Sequence, residues 1–153
     1  MSLNRDIVIK GAKDAFGAPA AILFAGMLGF GAMGQANGLD IWVTSATSFF
    51  MFALPGQVVL VEMLVLSASG VTIAVAVSLT ATRFFTMCLT LFPQFPEKQR
   101  SSFYYLVVHF VAMTAWAVSM RDFPKMKPED RLSYFTGFAF VCWAVSTPAT
   151  VLG

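Results

Sequence analysis

The chain has 153 residues and a formal net charge of +2; 58% of its residues are hydrophobic and only 12% are charged. Soluble domains carry about 25% charged residues, so this chain cannot cover itself with a surface of ordinary polarity. The composition excludes an ordinary soluble protein and indicates one that is surrounded by a lipid bilayer. No nucleic-acid partner is expected.

The N-terminal residues 1–14 hold charged side chains at helical spacing. Lys10 lies four residues from both Asp6 and Asp14, a spacing that supports a short helix at the membrane surface. The apolar stretch that follows is long enough for a full span, so we do not expect a cleavable signal peptide. We predict an interfacial segment over residues 1–14 and a single transmembrane helical domain over residues 15–153.

Five apolar stretches follow, and each is long enough to cross a hydrocarbon core, which takes about 20 residues. They cover residues 15–34, 41–66, 70–92, 103–120 and 132–152. Strands of a membrane barrel would alternate apolar and polar residues, and these runs do not. The sequence therefore predicts an all-α polytopic membrane protein with about five transmembrane helices.

Basic residues in the loops predict the orientation. With the N-terminus in the cytoplasm, seven Lys and Arg residues lie inside and two lie outside, as the positive-inside rule favours. If Pro55-Gly56 were instead the tip of a re-entrant hairpin, the ratio would shrink to five against four. We expect the first arrangement.

The first span is rich in small residues, with glycine at positions 26, 29, 31 and 34. Such residues let a neighbouring helix backbone approach closely, either within the chain or from a partner chain. Gly29-x-Gly31-x-x-Gly34 also matches the dinucleotide-binding pattern, but that motif requires a preceding strand and a following acidic residue. We expect no cofactor and no metal.

The second span contains the sequence Leu54-Pro55-Gly56-Gln57, which is typical of a broken helix. Pro55 removes a backbone donor and Gly56 loosens the turn, so we predict an interruption at Leu54–Gln57. The half-helix that starts there would direct free amides and its positive dipole end toward an anionic group, such as an amino-acid carboxylate. Gln57 could hydrogen-bond the ligand or a nearby arginine.

Arg83 is a charged residue within the third span, and such residues usually mark functional sites. Gln57 and Arg83 each lie thirteen residues from Gly70, so a helical hairpin would bring them to nearly the same depth. The guanidinium could bind a carboxylate through two hydrogen bonds. Alternatively, Arg83 is structural and pairs with Glu62 or with carbonyls freed near Leu54.

Hydroxyl residues such as Thr80 and Thr114 suggest a polar pathway, although such groups also hydrogen-bond neighbouring helices to each other. His109 would lie within roughly 5 Å of the depth of Arg83. It could relay protons or make an ordinary contact between helices. We take Thr80, Thr114, His109 and Glu62 as candidates for coupling or for the pathway.

Several short features are spread along the chain. They are the glycine-rich first span, the Gly38-Leu39 turn, Gly56-Gln57, the lone Arg83, Tyr134-Phe135-x-Gly137 and residues 143–147. Together, over about residues 15–153, they resemble the AzlC family, the large subunits of branched-chain amino-acid exporters. The resemblance implies a bacterial inner-membrane secondary exporter of leucine, isoleucine and valine, which usually works with a small AzlD-like membrane subunit.

Two functions are therefore open. The first is a transporter of branched-chain or similar apolar amino acids, with Pro55, Gly56, Gln57 and Arg83 binding the substrate. The second is a non-transporting membrane subunit or channel-like component in which Arg83 is structural. We expect no enzyme, because no nucleophile, base and orienting group occur at a recognisable spacing. Five spans are few to enclose a path, so a homo-oligomer or a complex with a small membrane protein is expected.

Overall fold

The computed structural model describes residues 3–96, 107 and 109–153. In these ranges the chain forms α-helices and short helical turns, without a strand. The helices are α1 (Arg5–Ala15), α2 (Ala18–Ala36), α3 (Ile41–Phe50), α4 (Leu54–Val65), α5 (Gly70–Leu91), α6 (Met113–Asp122) and α7 (Pro128–Leu152). Single 3₁₀ turns follow α5 and α6, at Phe92–Gln94 and Phe123–Lys125.

Among the described residues, three segments are long and apolar enough to cross a membrane. They are Ala18–Ala36, Gly70–Gln94 and Pro128–Leu152, so the prediction of an all-α membrane protein is confirmed. The second predicted span corresponds to two shorter apolar helices, α3 and α4. Residues 103–106 and 108 of the fourth predicted span lie outside the described residues, and the total of five spans stays a prediction.

The contacts divide the chain into two compact units. Unit 1 comprises Met1–Ala21 and Phe84–Ala144, and unit 2 comprises Ile22–Arg83 and Val145–Gly153. Helices α2, α5 and α7 contribute residues to both. Each unit is described by itself below.

In unit 1, α1 packs closely along the first half of α7. A side chain on Gly11 would collide with the carbonyl oxygen of Tyr134, and one on Gly137 with that of Val8. The amide of Asn4 also donates to Ser133 Oγ over 3.1 Å. The sequence predicted a surface helix here but did not reveal its packed glycine face.

An aromatic cluster and one arginine hold the end of α5 against α7 in the same unit. The ring of Phe95 packs edge-on against those of Phe123 and Phe135, with centroids 5.7 and 5.9 Å apart. Arg131 lies over the Phe123 ring, and its Nη1 donates to the carbonyl oxygen and to Oε1 of Gln94 over 3.2 and 3.0 Å. Because the guanidinium makes both kinds of contact, the 3₁₀ turn after α5 is fixed to the start of α7.

In unit 2, the predicted small-residue face of α2 packs against other helices of the same unit. A side chain on Gly31 would collide with the carbonyl oxygen of Thr150. A Cβ on Gly34 would lie 2.8 Å from the side chain of Thr44, whereas nothing lies within 4 Å of one on Gly29. These glycines therefore allow α2 to approach α3 and the end of α7.

Two tight turns reverse the chain in unit 2. Gly38 has a φ of 73°, and the amide of Leu39 donates to the Gly34 carbonyl over 3.0 Å. After α4, Ser67 has a φ of 52°, and the amide of Ala68 donates to the Met63 carbonyl over 3.0 Å. Both are helix-ending turns in which one left-handed residue allows the last carbonyls to find donors.

The helix interruption in the second predicted span does not lie where the sequence predicted it. Helix α3 ends at Phe50 and α4 begins at Leu54, so the non-helical residues are 51–53. Leu54–Gln57 instead form the first turn of α4. The reason is that proline is well accommodated in the first turn of a helix, where its missing amide would have no intrahelical acceptor.

A second interruption was not predicted. Val111 and Ala112 are non-helical, and α6 starts at Met113 with Ala112 as an uncapped N-terminal residue in extended conformation. No proline or glycine lies nearby to indicate it. The described part of the fourth predicted span is therefore not one continuous helix.

The close contact at Gly31 can be tested by comparing two glycines of α2. We expect Gly31→Ala to lower the free energy of unfolding by about 1–3 kcal/mol, because the added methyl group overpacks against the backbone of Thr150. Gly29→Ala should leave it unchanged or raise it by up to about 1 kcal/mol, since the site is open and alanine favours helix. Thermal unfolding of both purified variants in detergent measures this difference. Equal stability of the two variants would contradict the packing.

Candidate functional site

The interruption between α3 and α4 places two helix ends next to each other in unit 2. The amide of Gln57 is the first in α4 to find an intrahelical acceptor, the carbonyl of Ala53 at 3.0 Å. The amides of Leu54 and Gly56 come earlier in the helix and have no intrahelical acceptor, and Pro55 has no amide hydrogen. The start of α4 therefore presents donors and a partial positive charge, while the end of α3 presents carbonyl acceptors and a partial negative charge.

Gln57 connects the two sides of this interruption. Its side chain is completely buried, and its Nε2 donates to the carbonyl oxygen of Thr47 over 3.1 Å. The same carbonyl accepts from the amide of Met51 over 2.8 Å. Gln57 thus holds the first turn of α4 to the last turn of α3.

The other end of the Gln57 amide is a free acceptor. Its Oε1 is buried and has no hydrogen-bond donor among the described residues. Turning the amide over would place this oxygen against the Thr47 carbonyl, so the hydrogen bond fixes the orientation. A buried acceptor without a donor costs about 1–3 kcal/mol, which makes this oxygen a candidate contact for a ligand.

Gly56 and Thr80 bring α4 close to α5. A Cβ on Gly56 would lie 2.8 Å from Met51 Cε and 3.5 Å from Thr80 Oγ1. The Thr80 hydroxyl donates to the Val77 carbonyl of its own helix over 2.7 Å. Thr80 thus lies beside the first turn of α4, and its hydroxyl proton is used in the hydrogen bond to Val77.

Arg83 lies one turn beyond Thr80 on α5 and is half-buried. Residues 66–69 connect α4 to α5, and so short a connection makes the two helices antiparallel. Thr80 lies opposite Gly56, and Arg83 lies three residues, or about 4.5 Å, further along α5 from the turn that joins the helices. Arg83 is therefore level with Ala53, which is part of the interruption. The predicted register, with Gln57 opposite Arg83, is off by about one helical turn because the chain reverses at Ser67 and Ala68 instead of at Gly70.

The remaining candidates are divided between the units. Glu62 lies in α4 with an exposed side chain, five residues after Gln57. His109 is also exposed and belongs to unit 1, where its ring packs edge-on against Phe110 with centroids 5.4 Å apart. Thr114 lies in the first turn of α6, likewise in unit 1. Unit 2 therefore groups Pro55, Gly56, Gln57, Thr80, Glu62 and Arg83.

A buried pair of hydroxyl groups in unit 2 was missed by the sequence analysis. Ser48 Oγ and Thr150 Oγ1 are 2.8 Å apart and buried, and Thr150 also donates to the Ser146 carbonyl over 3.1 Å. Thr44 and Thr150 line a cavity of about 300 Å³ that Gln35 also borders. The four-residue spacing of Thr44 and Ser48, and of Ser146 and Thr150, was the signal, because residues so spaced share a helix face.

Unit 1 contains a cleft of about 240 Å³ lined by charged residues of α1, of the end of α6 and of the turn that follows α6. Arg121 donates to both carboxylate oxygens of Asp122 over 3.0 and 2.8 Å, and these hydrogen bonds lower the pKa of Asp122. The Tyr134 hydroxyl donates to Asp14 over 3.0 Å. Both carboxylates thus have partners within unit 1, and the described residues include no cluster of three His, Cys, Asp or Glu side chains that could hold a metal ion.

The comparisons with known proteins place this geometry in a family. The family model described as AzlC protein matches residues 19–153, a range that includes the interruption before α4 and Arg83. Searches of curated proteins and of solved structures give no match. Because the matched range covers most of the chain, the resemblance suggested by the sequence is confirmed: the chain belongs to the AzlC family, whose members are associated with amino-acid transport.

Proposed function

We propose that this protein is a secondary transporter that exports branched-chain or similar apolar amino acids across a bacterial inner membrane. One observation carries the proposal: in an apolar helical protein, the chain is interrupted between α3 and α4 at residues 51–53. The approach of Gly56 to Thr80 indicates that Arg83, three residues further along α5, lies near the same depth. Transporters bind substrates at such discontinuous helices, where half-helix ends supply the polar groups that lipid cannot.

The carboxylate of the substrate is bound by donors from two helices. The amides of Leu54 and Gly56 offer hydrogen bonds and the positive end of the α4 dipole. Arg83 adds a fixed positive charge and a planar pair of donors that match a carboxylate. Together they supply charge-assisted hydrogen bonds for an anionic group inside an apolar protein.

The aliphatic side chain of the substrate packs against apolar residues beside the interruption. Phe52 is buried within it, and Leu54 and Val58 are half-buried on the first turns of α4. Such residues prefer a leucine-like side chain to a charged or strongly polar one, because the latter loses its hydration without gaining a partner.

We further propose that the transporter works as a homo-oligomer or with a small AzlD-like membrane subunit. Helix α5 supports this, because only 6% of the most apolar stretch of Gly70–Gln94 is buried by the described part of the chain. Its outer face carries Ala74, Ser78 and Thr82 at four-residue spacing, all exposed, and small residues so spaced allow a neighbouring helix to pack closely. The alternative, a non-transporting subunit with a structural Arg83, shares this assembly and differs in the role of the arginine.

Substitution of Arg83 separates these two functions. We expect Arg83→Lys to reduce leucine counterflow in proteoliposomes roughly tenfold or more, because lysine keeps the charge and loses the paired donors. Arg83→Met should abolish transport at near-normal expression, since a flexible apolar side chain of similar reach suits the bilayer. The matched control is Arg121→Lys, at an exposed arginine that pairs with Asp122, which should transport normally.

The same experiment includes the outcome that rejects the binding role. If Arg83→Met loses its folded state in detergent while Arg121→Lys keeps it, then the arginine is structural. In that case the carboxylate site is wrong, and the protein is a non-transporting subunit.

The proposed topology, with the N-terminus in the cytoplasm, can be tested by labelling single cysteines. Cys88 and Cys142 are first replaced by alanine, and cysteine is then introduced at Asn37 or at Lys127, which are both exposed. A membrane-impermeant maleimide added to intact spheroplasts should label the Asn37 variant, and the Lys127 variant only after permeabilisation, as the positive-inside rule requires. The reverse pattern would mean that the orientation is wrong.

A further inference from the structure

The Gln57 side chain adds a second kind of contact to the carboxylate site. Its Nε2 is committed to the Thr47 carbonyl at 3.1 Å, so the group it can offer to a ligand is the oxygen Oε1. That oxygen is completely buried and has no donor among the described residues. An oxygen in this position binds a donor, and it repels a carboxylate.

The end of α3 provides acceptors of the same kind. The last carbonyls of a helix have no intrahelical donors and form the negative end of its dipole. In α3 the carbonyls of Ser48 and Phe50 belong to this set. Because Gln57 Nε2 is hydrogen-bonded to the Thr47 carbonyl, the Gln57 amide, including Oε1, lies beside the last turn of α3.

The two sides of the interruption therefore complement the two charged groups of a zwitterion. The start of α4 offers donors, and the end of α3 together with Gln57 offers acceptors, with three residues of chain between the helices. A primary ammonium group has three donors and a positive charge, and it satisfies several such acceptors at once.

We propose that Gln57 Oε1 and the terminal carbonyls of α3 bind the ammonium group of the substrate, so that the site selects zwitterionic amino acids over acids or amines of the same shape. This inference rests on the transport function proposed above and assigns Gln57 a role in specificity. From the sequence alone, Gln57 could hydrogen-bond either the ligand or the arginine, and this inference specifies the ammonium group of the ligand.

Three probes that carry the same isobutyl group test this assignment. Leucine carries both charged groups, isocaproate carries only the carboxylate and isoamylamine carries only the ammonium. Their binding to the purified protein is measured as the shift in unfolding temperature and as inhibition of leucine counterflow. The variants are Gln57→Met, which loses both ends of the amide, and Gln57→Glu, which loses the Nε2 donor and keeps an oxygen acceptor.

We expect Gln57→Met to weaken binding of leucine and isoamylamine roughly tenfold or more and to leave isocaproate within about twofold. Gln57→Glu should bind isoamylamine at least as well as the unmodified chain. Arg83→Met should show the opposite pattern, with isocaproate weakened and isoamylamine retained.

Two results overturn the assignment. If Gln57→Met weakens isocaproate as much as isoamylamine, or if Gln57→Glu loses isoamylamine to the same extent, then Gln57 only holds the helix ends together. If none of the probes shifts the unfolding temperature of the unmodified protein, there is no ammonium site. An absence of leucine counterflow despite binding of leucine and isoamylamine would instead contradict the transport function and leave the ammonium site standing.

Discussion

A lipid environment offers no hydrogen-bond partners to backbone amides and carbonyls, so every departure from helix within an apolar protein must be supported by the protein itself. The interruption between α3 and α4 is supported in part by one side chain. Gln57 donates to Thr47, whose carbonyl also receives the amide of Met51. A polar ligand can use the groups that remain, which are the first amides of α4, the end of α3 and the buried Oε1 of Gln57.

Close contact between helix backbones stabilises each of the two units. Gly31 meets the backbone of Thr150 in unit 2, and Gly11 and Gly137 meet the backbones of Tyr134 and Val8 in unit 1. Between membrane helices, lipid removes most of the hydrophobic driving force, so close van der Waals packing of small residues takes over.

Charged residues have different roles in different parts of the chain. Arg121 and Asp122 form an exposed ion pair, and Asp14 accepts from Tyr134 near the end of α1. The Arg121–Asp122 ion pair stabilises little because water competes for it. Arg83 is half-buried on an apolar helix, level with the interruption, where a charge is costly to retain. For this reason the proposed chemistry of the protein depends on Arg83 and not on the more numerous charges elsewhere.

The amino-acid sequence by itself determined the class of the protein, because runs of apolar residues and few charges can be accommodated only by helices in lipid. It also indicated the Gly38 turn, the small-residue face of α2 and the residues Gly56, Gln57 and Arg83. Only the tertiary structure decided the register of α4 on α5, which places Arg83 opposite the interruption, and the direction of the Gln57 amide. It also revealed Thr150 beside Ser48 and the interruption at Val111 and Ala112. Periodicity and turn residues report which residues share a helix face, whereas register and side-chain direction depend on contacts between residues far apart in the chain.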